Sequence, residues 1–181
     1  MTKSLILNRD DFCKSHLLRY RNIFATPPTP KIPFANTQWF GLLFEGSFIA
    51  QTKVYDALRT ASVAMGDNEF VLTSMYGEDG FETSILAPWP SSLAEFLSLR
   101  ISAELDFTPA SELFGATSPA WGCCFFFDEY FHVGGEKAFI DLVTNTLGCV
   151  EKLRSDFYRF AAHDWPLGAG DRDAVLQSVG W

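Results

Sequence analysis

The sequence is poor in cysteine and contains no long apolar run. Four cysteines in 181 residues fall far below the ~8–10% that marks a disulfide-framework protein. No window approaches the ~18–20 apolar residues of a membrane helix. The apolar stretch Leu5–Leu7 is too short for the ~7–15-residue core of a signal peptide. We therefore expect a cytoplasmic protein with reduced thiols and no membrane partner.

Familiar catalytic and metal-binding motifs are also missing. The chain has no G-x-S-x-G elbow, no H-E-x-x-H helix, no phosphate-binding G-x-x-x-x-G-K-[ST] loop and no EF-hand loop. Cys123 and Cys124 are neighbours in a predicted strand, so their side chains point to opposite faces and cannot easily chelate one ion. Gly134-Gly135 is expected to form a tight turn before a helix. The sequence predicts no catalytic residue, no cofactor and no metal site.

Basic residues are scarce outside the N-terminal segment. Residues 32–135 hold three basic against thirteen acidic residues, whereas residues 1–31 hold six basic and two acidic ones. The whole chain has a net charge of −8. Nucleic-acid binding depends on Lys and Arg displacing counterions, so this acidic middle argues against direct binding of nucleic acid. It would attract a basic protein instead.

Hydrophobic residues, by contrast, are plentiful. They make up 48% of the chain, which includes 18 phenylalanines, enough to exclude a disordered protein and to form a sizeable core. Periodicity and turn residues then predict the first elements. These are a helix over 10–24, an extended Pro-rich connector through Pro33, a strand over 39–45, a helix over 52–65, and a β-hairpin of strands 70–76 and 81–86 around Gly77–Gly80.

The second half of the chain predicts two further helices and two strands. Ser92 and Glu95 form a capping box that opens a helix ending near residue 104. A short helical turn is expected over 109–113, followed by strands over 121–127 and 130–133. Apolar residues at steps of three and four then predict one amphipathic helix of about 27 residues from Glu136.

These elements favour an α+β fold, with a mostly antiparallel sheet covered by helices on one face, over the alternative of a doubly wound parallel sheet. An N-terminal helix precedes the sheet, and the long amphipathic helix lies near the C-terminus. We expect a single domain over 1–181. It comprises an N-terminal helix with the Pro-rich connector (1–35), an α+β core (36–163) and a C-terminal tail (164–181).

The functional expectation is a non-enzymatic protein-binding domain. A small, acidic, aromatic-rich domain without catalytic signatures is similar in type to immunity proteins, which neutralise a cognate bacterial toxin by covering its active site. That resemblance implies a basic protein partner such as a toxin. Exposed aromatic residues ringed by acids are typical of protein interfaces. The expected partner-binding residues are Glu78, Asp79, Glu82, Trp89, Asp128 and Glu129.

Two alternatives stay open. One is a small-molecule enzyme that uses a carboxylate/His or Cys/His site around Cys124, Asp128, Glu129 and His132. It requires a concave pocket that holds His132 together with one of the acid pairs. The other is a homodimer formed through the long amphipathic helix, because a coiled coil gives the same apolar spacing.

Overall fold

The computed structural model describes residues 4–26, 28–75, 81–103, 110–126, 129–165 and 169–181. Within these ranges the chain forms seven strands and seven α-helices. The strands are β1 (Leu5–Leu7), β2 (Phe40–Glu45), β3 (Glu69–Met75), β4 (Phe81–Pro88), β5 (Ala110–Gly115), β6 (Trp121–Phe126) and β7 (Tyr130–Gly135). The helices are α1 (Arg9–Ser15), α2 (Leu17–Ile23), α3 (Thr52–Ala64), α4 (Leu93–Ser102), α5 (Lys137–Leu147), α6 (Val150–His163) and α7 (Ala169–Ser178).

All seven strands belong to one antiparallel sheet, in the order β1-β4-β3-β5-β6-β7-β2. The α+β fold class with an antiparallel sheet is therefore confirmed. The predicted hairpin is present as the pair β3–β4, which runs from Glu69 opposite Pro88 to Met75 opposite Phe81. The expected turn at Gly77–Gly80 lies outside the described residues.

Helices cover both faces of the sheet, so the expectation of helices on one face is wrong. Side chains alternate between faces along a strand, and all six residues of β6 are buried. We call the side with Trp121, Cys123 and Phe125 face A; α3, α4 and α5 pack there. Face B carries Cys124 and Phe126, under α1, α2, α7 and the C-terminal half of α6. A central strand that is apolar on both sides requires two covering layers.

Two of the helices match their sequence signals closely. The helix predicted over 52–65 is α3, and Gly66 with φ +91° follows it. The capping box at the start of α4 is also present. The Ser92 hydroxyl accepts from the Glu95 amide at 3.3 Å, and the Glu95 carboxylate accepts from the Ser91 amide at 2.9 Å. Local hydrogen bonding therefore fixes where α4 begins.

The N-terminal helix is divided and is preceded by a strand. Asn8 caps α1 by accepting from the Asp11 amide at 2.9 Å, and His16 separates α1 from α2. Leu5–Leu7, too short to signal a strand alone, pairs with β4 opposite Ser84–Leu86. The expected single helix over 10–24 is therefore two short helices.

The segment predicted as a helical turn at 109–113 is the central strand β5 instead. Its described neighbours are β3 and β6, and Glu112 lies in register between Thr73 and Cys124. Pro109 is outside the described residues. This helix-compatible sequence forms a strand because both flanking strands supply hydrogen-bond partners. Those partners are distant in sequence, so local propensity cannot predict the strand.

The predicted 27-residue helix is wrong as one continuous element. Gly148, with φ +93°, separates α5 from α6. Phe139 and Val143 of α5 are buried on face A, whereas Phe157 of α6 is buried on face B. The apolar spacing continues across the break because α6 passes around the β2 edge of the sheet. The stripe that suggested a coiled-coil dimer is thus packed against the chain's own sheet.

Asp67 connects the end of α3 to the turn between β5 and β6. Its buried carboxylate accepts from the Thr117 amide at 2.9 Å, the Ser118 amide at 3.0 Å and the Trp121 indole N–H at 3.1 Å. The Thr117 hydroxyl is a further donor. A Cβ at Gly115 would collide with this carboxylate, so the strand must pass close to it. A fully hydrogen-bonded buried carboxylate stabilises the fold strongly.

No helix in the described ranges combines the length and the apolar character needed to cross a membrane.

We expect Asp67→Ala to lower the free energy of unfolding by about 3 kcal/mol, because it leaves buried donors without an acceptor. Asp67→Asn retains one acceptor oxygen and should cost less. Urea denaturation measures both values. Asp56→Ala, which removes an acid from the surface of α3, is the matched control and should change stability by less than about 0.5 kcal/mol. Equal stabilities for Asp67→Ala and this control would contradict the stabilising role of the buried Asp67 carboxylate.

Gly148 and Gly170 provide a paired test of the helix break. Gly148→Ala forces a side chain into a positive-φ conformation and should destabilise the protein by about 1–2 kcal/mol. Gly170 lies within α7, where an added Cβ meets no atom within 4 Å. Gly170→Ala should therefore stabilise the protein by about 0.5–1 kcal/mol through helix propensity. If α5 and α6 are separate helices, thermal unfolding should show a lower melting temperature for Gly148→Ala and a higher one for Gly170→Ala.

Candidate functional site

Most of the expected acidic partner-binding residues cannot be placed. Glu78, Asp79 and Asp128 lie outside the described residues, and for Glu82 the structure describes only its place in β4. Trp89 and Glu129 are described, and they occupy different regions of the molecule. The predicted interface can therefore be examined in the structure around Trp89 and Glu129.

Trp89 follows β4 and turns into the face A core. Only 9% of the residue is exposed. Its ring lies 5.0 Å from Phe70, 5.8 Å from Tyr55 and 6.0 Å from Trp121, between ring centroids. A partner could touch only the small exposed part of this side chain.

Glu129 contributes to an open surface depression at the end of the sheet where β7 begins. Its backbone carbonyl accepts from the Gly46 amide at 2.6 Å, which joins the start of β7 to the end of β2. The depression has a volume of about 530 Å³. We call it the acidic depression, and its lining residues are Glu45, Gly46, Gln51, Glu129, Phe160 and Asp164.

The electrostatics of the acidic depression favour a cationic occupant. Desolvation and then the Asp156 carboxylate raise the pKa of Glu45, Arg159 lowers it, and Asp164 raises it further. One carboxylate oxygen of Glu129 is buried and has no hydrogen-bond partner among the described residues. None of the lining residues that the structure describes is basic. Three carboxylates therefore converge on one concave surface with an aromatic ring, that of Phe160, beside them.

The structure brings together two members of the proposed Cys/His site. Cys124 on β6 lies directly opposite His132 on β7, and Glu112 on β5 lies opposite Cys124 from the other side. All three side chains belong to face B and are buried. The result is a row of Glu, Cys and His across three adjacent strands.

This row is not prepared for nucleophilic catalysis. Burial and then the Glu112 charge raise the pKa of the Cys124 thiol well above its usual range, whereas a nucleophilic cysteine needs an accessible, stabilised thiolate. The thiol instead lies 3.9 Å from the Pro33 carbonyl, to which it donates. Glu129 and His132 line two separate concavities. The arrangement that the enzyme alternative requires is therefore not formed by the described residues, and Asp128 lies outside them.

Metal ligands are likewise dispersed across the part of the chain that the structure describes. It contains no group of three or more His, Cys, Asp or Glu side chains placed to hold a metal ion. All four cysteines are free, with Cys13 and Cys149 exposed and Cys123 and Cys124 buried. Cys123 faces side A and Cys124 faces side B.

A second concavity lies on face B near the other end of β7 and is lined by His132, whereas Glu129 lines the acidic depression. Its volume is about 270 Å³, and it is bordered by the Pro-rich connector, the start of β2 and the end of α7. We call it the His132 cavity. Its principal lining residues are Pro33, Phe34, Trp39, Gly41, His132 and Val179.

Two paired glycines explain how this cavity forms. Gly41 on β2 lies opposite Gly134 on β7. A Cβ at Gly134 would collide with the Phe34 ring, and one at Gly41 would collide with Val179. The missing side chains let the connector and the end of α7 approach the sheet closely. Gly134 and Gly135 are the last residues of β7, and α5 begins at Lys137, so the expected junction of strand and helix is present but the two glycines are strand residues rather than the turn.

His132 is a buried polar group without a hydrogen bond. The residue is 0% exposed, and neither ring nitrogen has a partner within the described residues. Its ring lies 5.5 Å from that of Phe126 and 5.8 Å from that of Tyr130. Burial lowers the pKa of His132 from 6.5 to about 3, so the imidazole is neutral at pH 7. An unsatisfied buried polar group costs about 1–3 kcal/mol.

The shifted pKa of His132 gives stability a defined pH dependence. Between pH 6.5 and about 3 the unfolded chain binds a proton at this residue that the folded protein does not. The free energy of unfolding therefore falls as the pH decreases through this range, by up to about 1.4 kcal/mol per pH unit. His132→Phe should remove this component in urea denaturation series between about pH 7 and pH 5.

His163→Phe is the matched control, because His163 is exposed on α6. This variant should retain the wild-type slope of stability against pH. A His132→Phe slope identical to that of wild type would contradict burial of a neutral imidazole.

The chain matches no protein-family model, no curated protein and no solved structure. The resemblance to immunity proteins therefore rests on size, charge and composition, and no matching family or solved structure supports it. The acidic depression and the His132 cavity are the two features from which function can be argued.

Proposed function

We propose that this protein is a non-enzymatic binding protein of the immunity or inhibitor type, which neutralises a basic toxin by covering its active site. The observation that carries the proposal is the convergence of Glu45, Glu129 and Asp164 on one open depression. The long acidic segment 32–135 of the sequence adds to the same negative field.

The depression suits a basic side chain from a protein partner. An arginine could form charge-assisted hydrogen bonds with the Glu129 and Asp164 carboxylates. Its planar guanidinium could also stack on the neighbouring Phe160 ring.

Carboxylates that repel one another are typical of a surface kept for binding rather than stability. Desolvation and then the Asp156 charge raise the pKa of Glu45, Arg159 lowers it, and Asp164 raises it further, so the folded chain holds the ionised Glu45 at some cost. A cationic partner would relieve this repulsion. If the partner is a nuclease toxin, the same charges would compete with its phosphate-binding groove.

We also propose a cytoplasmic location for this function. All four cysteines are free, and two of them are exposed. Free exposed thiols are typical of proteins in a reducing compartment.

The test is a calorimetric titration with any basic protein that a neighbouring gene is found to encode. We expect Glu129→Gln and Asp164→Asn each to weaken binding about tenfold, since each removes one charged contact. The wild-type affinity should fall between about 50 mM and 200 mM salt, and the variants should show a shallower fall.

Glu136→Gln is the matched control. Glu136 is exposed and follows β7 at the opposite end from Glu129, roughly 20 Å away along the strand. It removes the same charge outside the depression and should leave affinity nearly unchanged. Equal weakening by all three variants would indicate a general field effect rather than this site, and no binding at low salt would overturn the proposal for this partner.

A further inference from the structure

We infer that the His132 cavity binds a small neutral aromatic molecule that carries one hydrogen-bonding hydroxyl or N–H group. This inference goes beyond the proposed function, because the cavity and the acidic depression are separate concavities with no lining residue in common. It rests on the shape of the cavity, on its aromatic lining and on the unpartnered imidazole within it.

The size and lining of the cavity select the ligand class. At about 270 Å³ it lies near the lower end of the ~300–1,000 Å³ typical of ligand sites, which leaves room for one or two fused rings. Phe34, Trp39 and Val179 supply apolar surface, whereas Asn36, Thr37 and Gln177 are polar. An apolar wall with a few polar groups is the usual composition of a small-molecule site.

His132 provides the polar anchor. Neither of its ring nitrogens has a partner within the described residues, and the residue is fully buried beside the Phe126 and Tyr130 rings. A neutral imidazole offers one acceptor and one donor nitrogen. A ligand hydroxyl that reaches it would satisfy a group that the fold leaves without a hydrogen bond.

The charge balance of the lining argues for a neutral ligand. Lys31 is the one charged residue among the lining residues that the structure describes, and it forms an ion pair with Asp171 of α7. Burying an ionised ligand beside a neutral imidazole would leave its charge uncompensated.

The elements around the cavity indicate a site with an opening. The Lys31–Asp171 pair joins the connector to α7 beside the cavity. Phe40 and Ile32, which also line it, are 51% and 59% exposed. A ligand can therefore enter between solvent-facing apolar side chains, and a small movement of the lining would let its hydroxyl contact the buried imidazole.

The test compares two ligands of the same shape. We expect 2-naphthol to bind the wild-type protein about tenfold more tightly than naphthalene, because only the former can hydrogen-bond to His132. Quenching of tryptophan fluorescence measures both affinities, since Trp39 lines the cavity. The nitrogen resonances of the His132 imidazole should shift with 2-naphthol and not with naphthalene.

Three variants locate the site. His132→Phe should bind both ligands with affinities within about twofold of each other, since the hydrogen bond is gone. Val179→Trp, which fills the cavity, should weaken both ligands about tenfold or more. His163→Phe is the matched control on the surface of α6 and should keep the wild-type preference. Circular dichroism verifies that each variant is folded.

Several results would overturn the inference. They are equal wild-type affinities for the two ligands, no binding of either up to its solubility, or binding that His132→Phe and Val179→Trp leave unchanged. Sedimentation that shows a dimer which excludes both ligands would also overturn it, because a second copy would then occupy the cavity. None of these results depends on Glu129 or Asp164, so they would leave the proposed function untouched.

Discussion

The buried carboxylate of Asp67 sets the geometry on which the rest of the fold depends. It receives donors from the β5–β6 turn and from the Trp121 indole, and Trp121 in turn stacks on Phe139 of α5 at 5.0 Å. One acidic side chain therefore links the end of α3, the centre of the sheet and α5. Because hydrogen bonds to a charged acceptor are directional as well as strong, Asp67 fixes the positions of these elements and not merely their proximity.

The strand β7 brings together the features with functional interest. The acidic depression lies where the strand begins, beside Glu129, and the His132 cavity lies further along it, beside the Gly41–Gly134 pair. One site is open and negatively charged, and the other is smaller and has aromatic side chains in its lining. Both concavities border β7, the strand between β6 and the edge strand β2, and they share no lining residue.

Sequence reasoning succeeded where the signal is local. The capping box at Ser92, the alternating strands of the β3–β4 hairpin and the helix that ends before Gly66 all depend on neighbouring residues. It failed where the deciding contacts are distant in sequence. β5 becomes a strand because of β3 and β6, and the two-sided covering of the sheet follows from side chains that meet only after folding. The His132 cavity could have been suspected from Gly41 and Gly134, since glycines inside strands often mark a close approach of another segment.

The path of the chain around the β2 edge has a consequence for how the protein is made. The face A helices α3, α4 and α5 precede Gly148, whereas α6 and α7 come after every strand has been synthesised. On the ribosome, face A can acquire its cover while half of face B still presents Phe126 and Tyr130 to solvent. The helices that follow the last strand of the sheet therefore complete the cover of face B, and a chain interrupted before them would expose an aromatic surface open to chaperones or to aggregation.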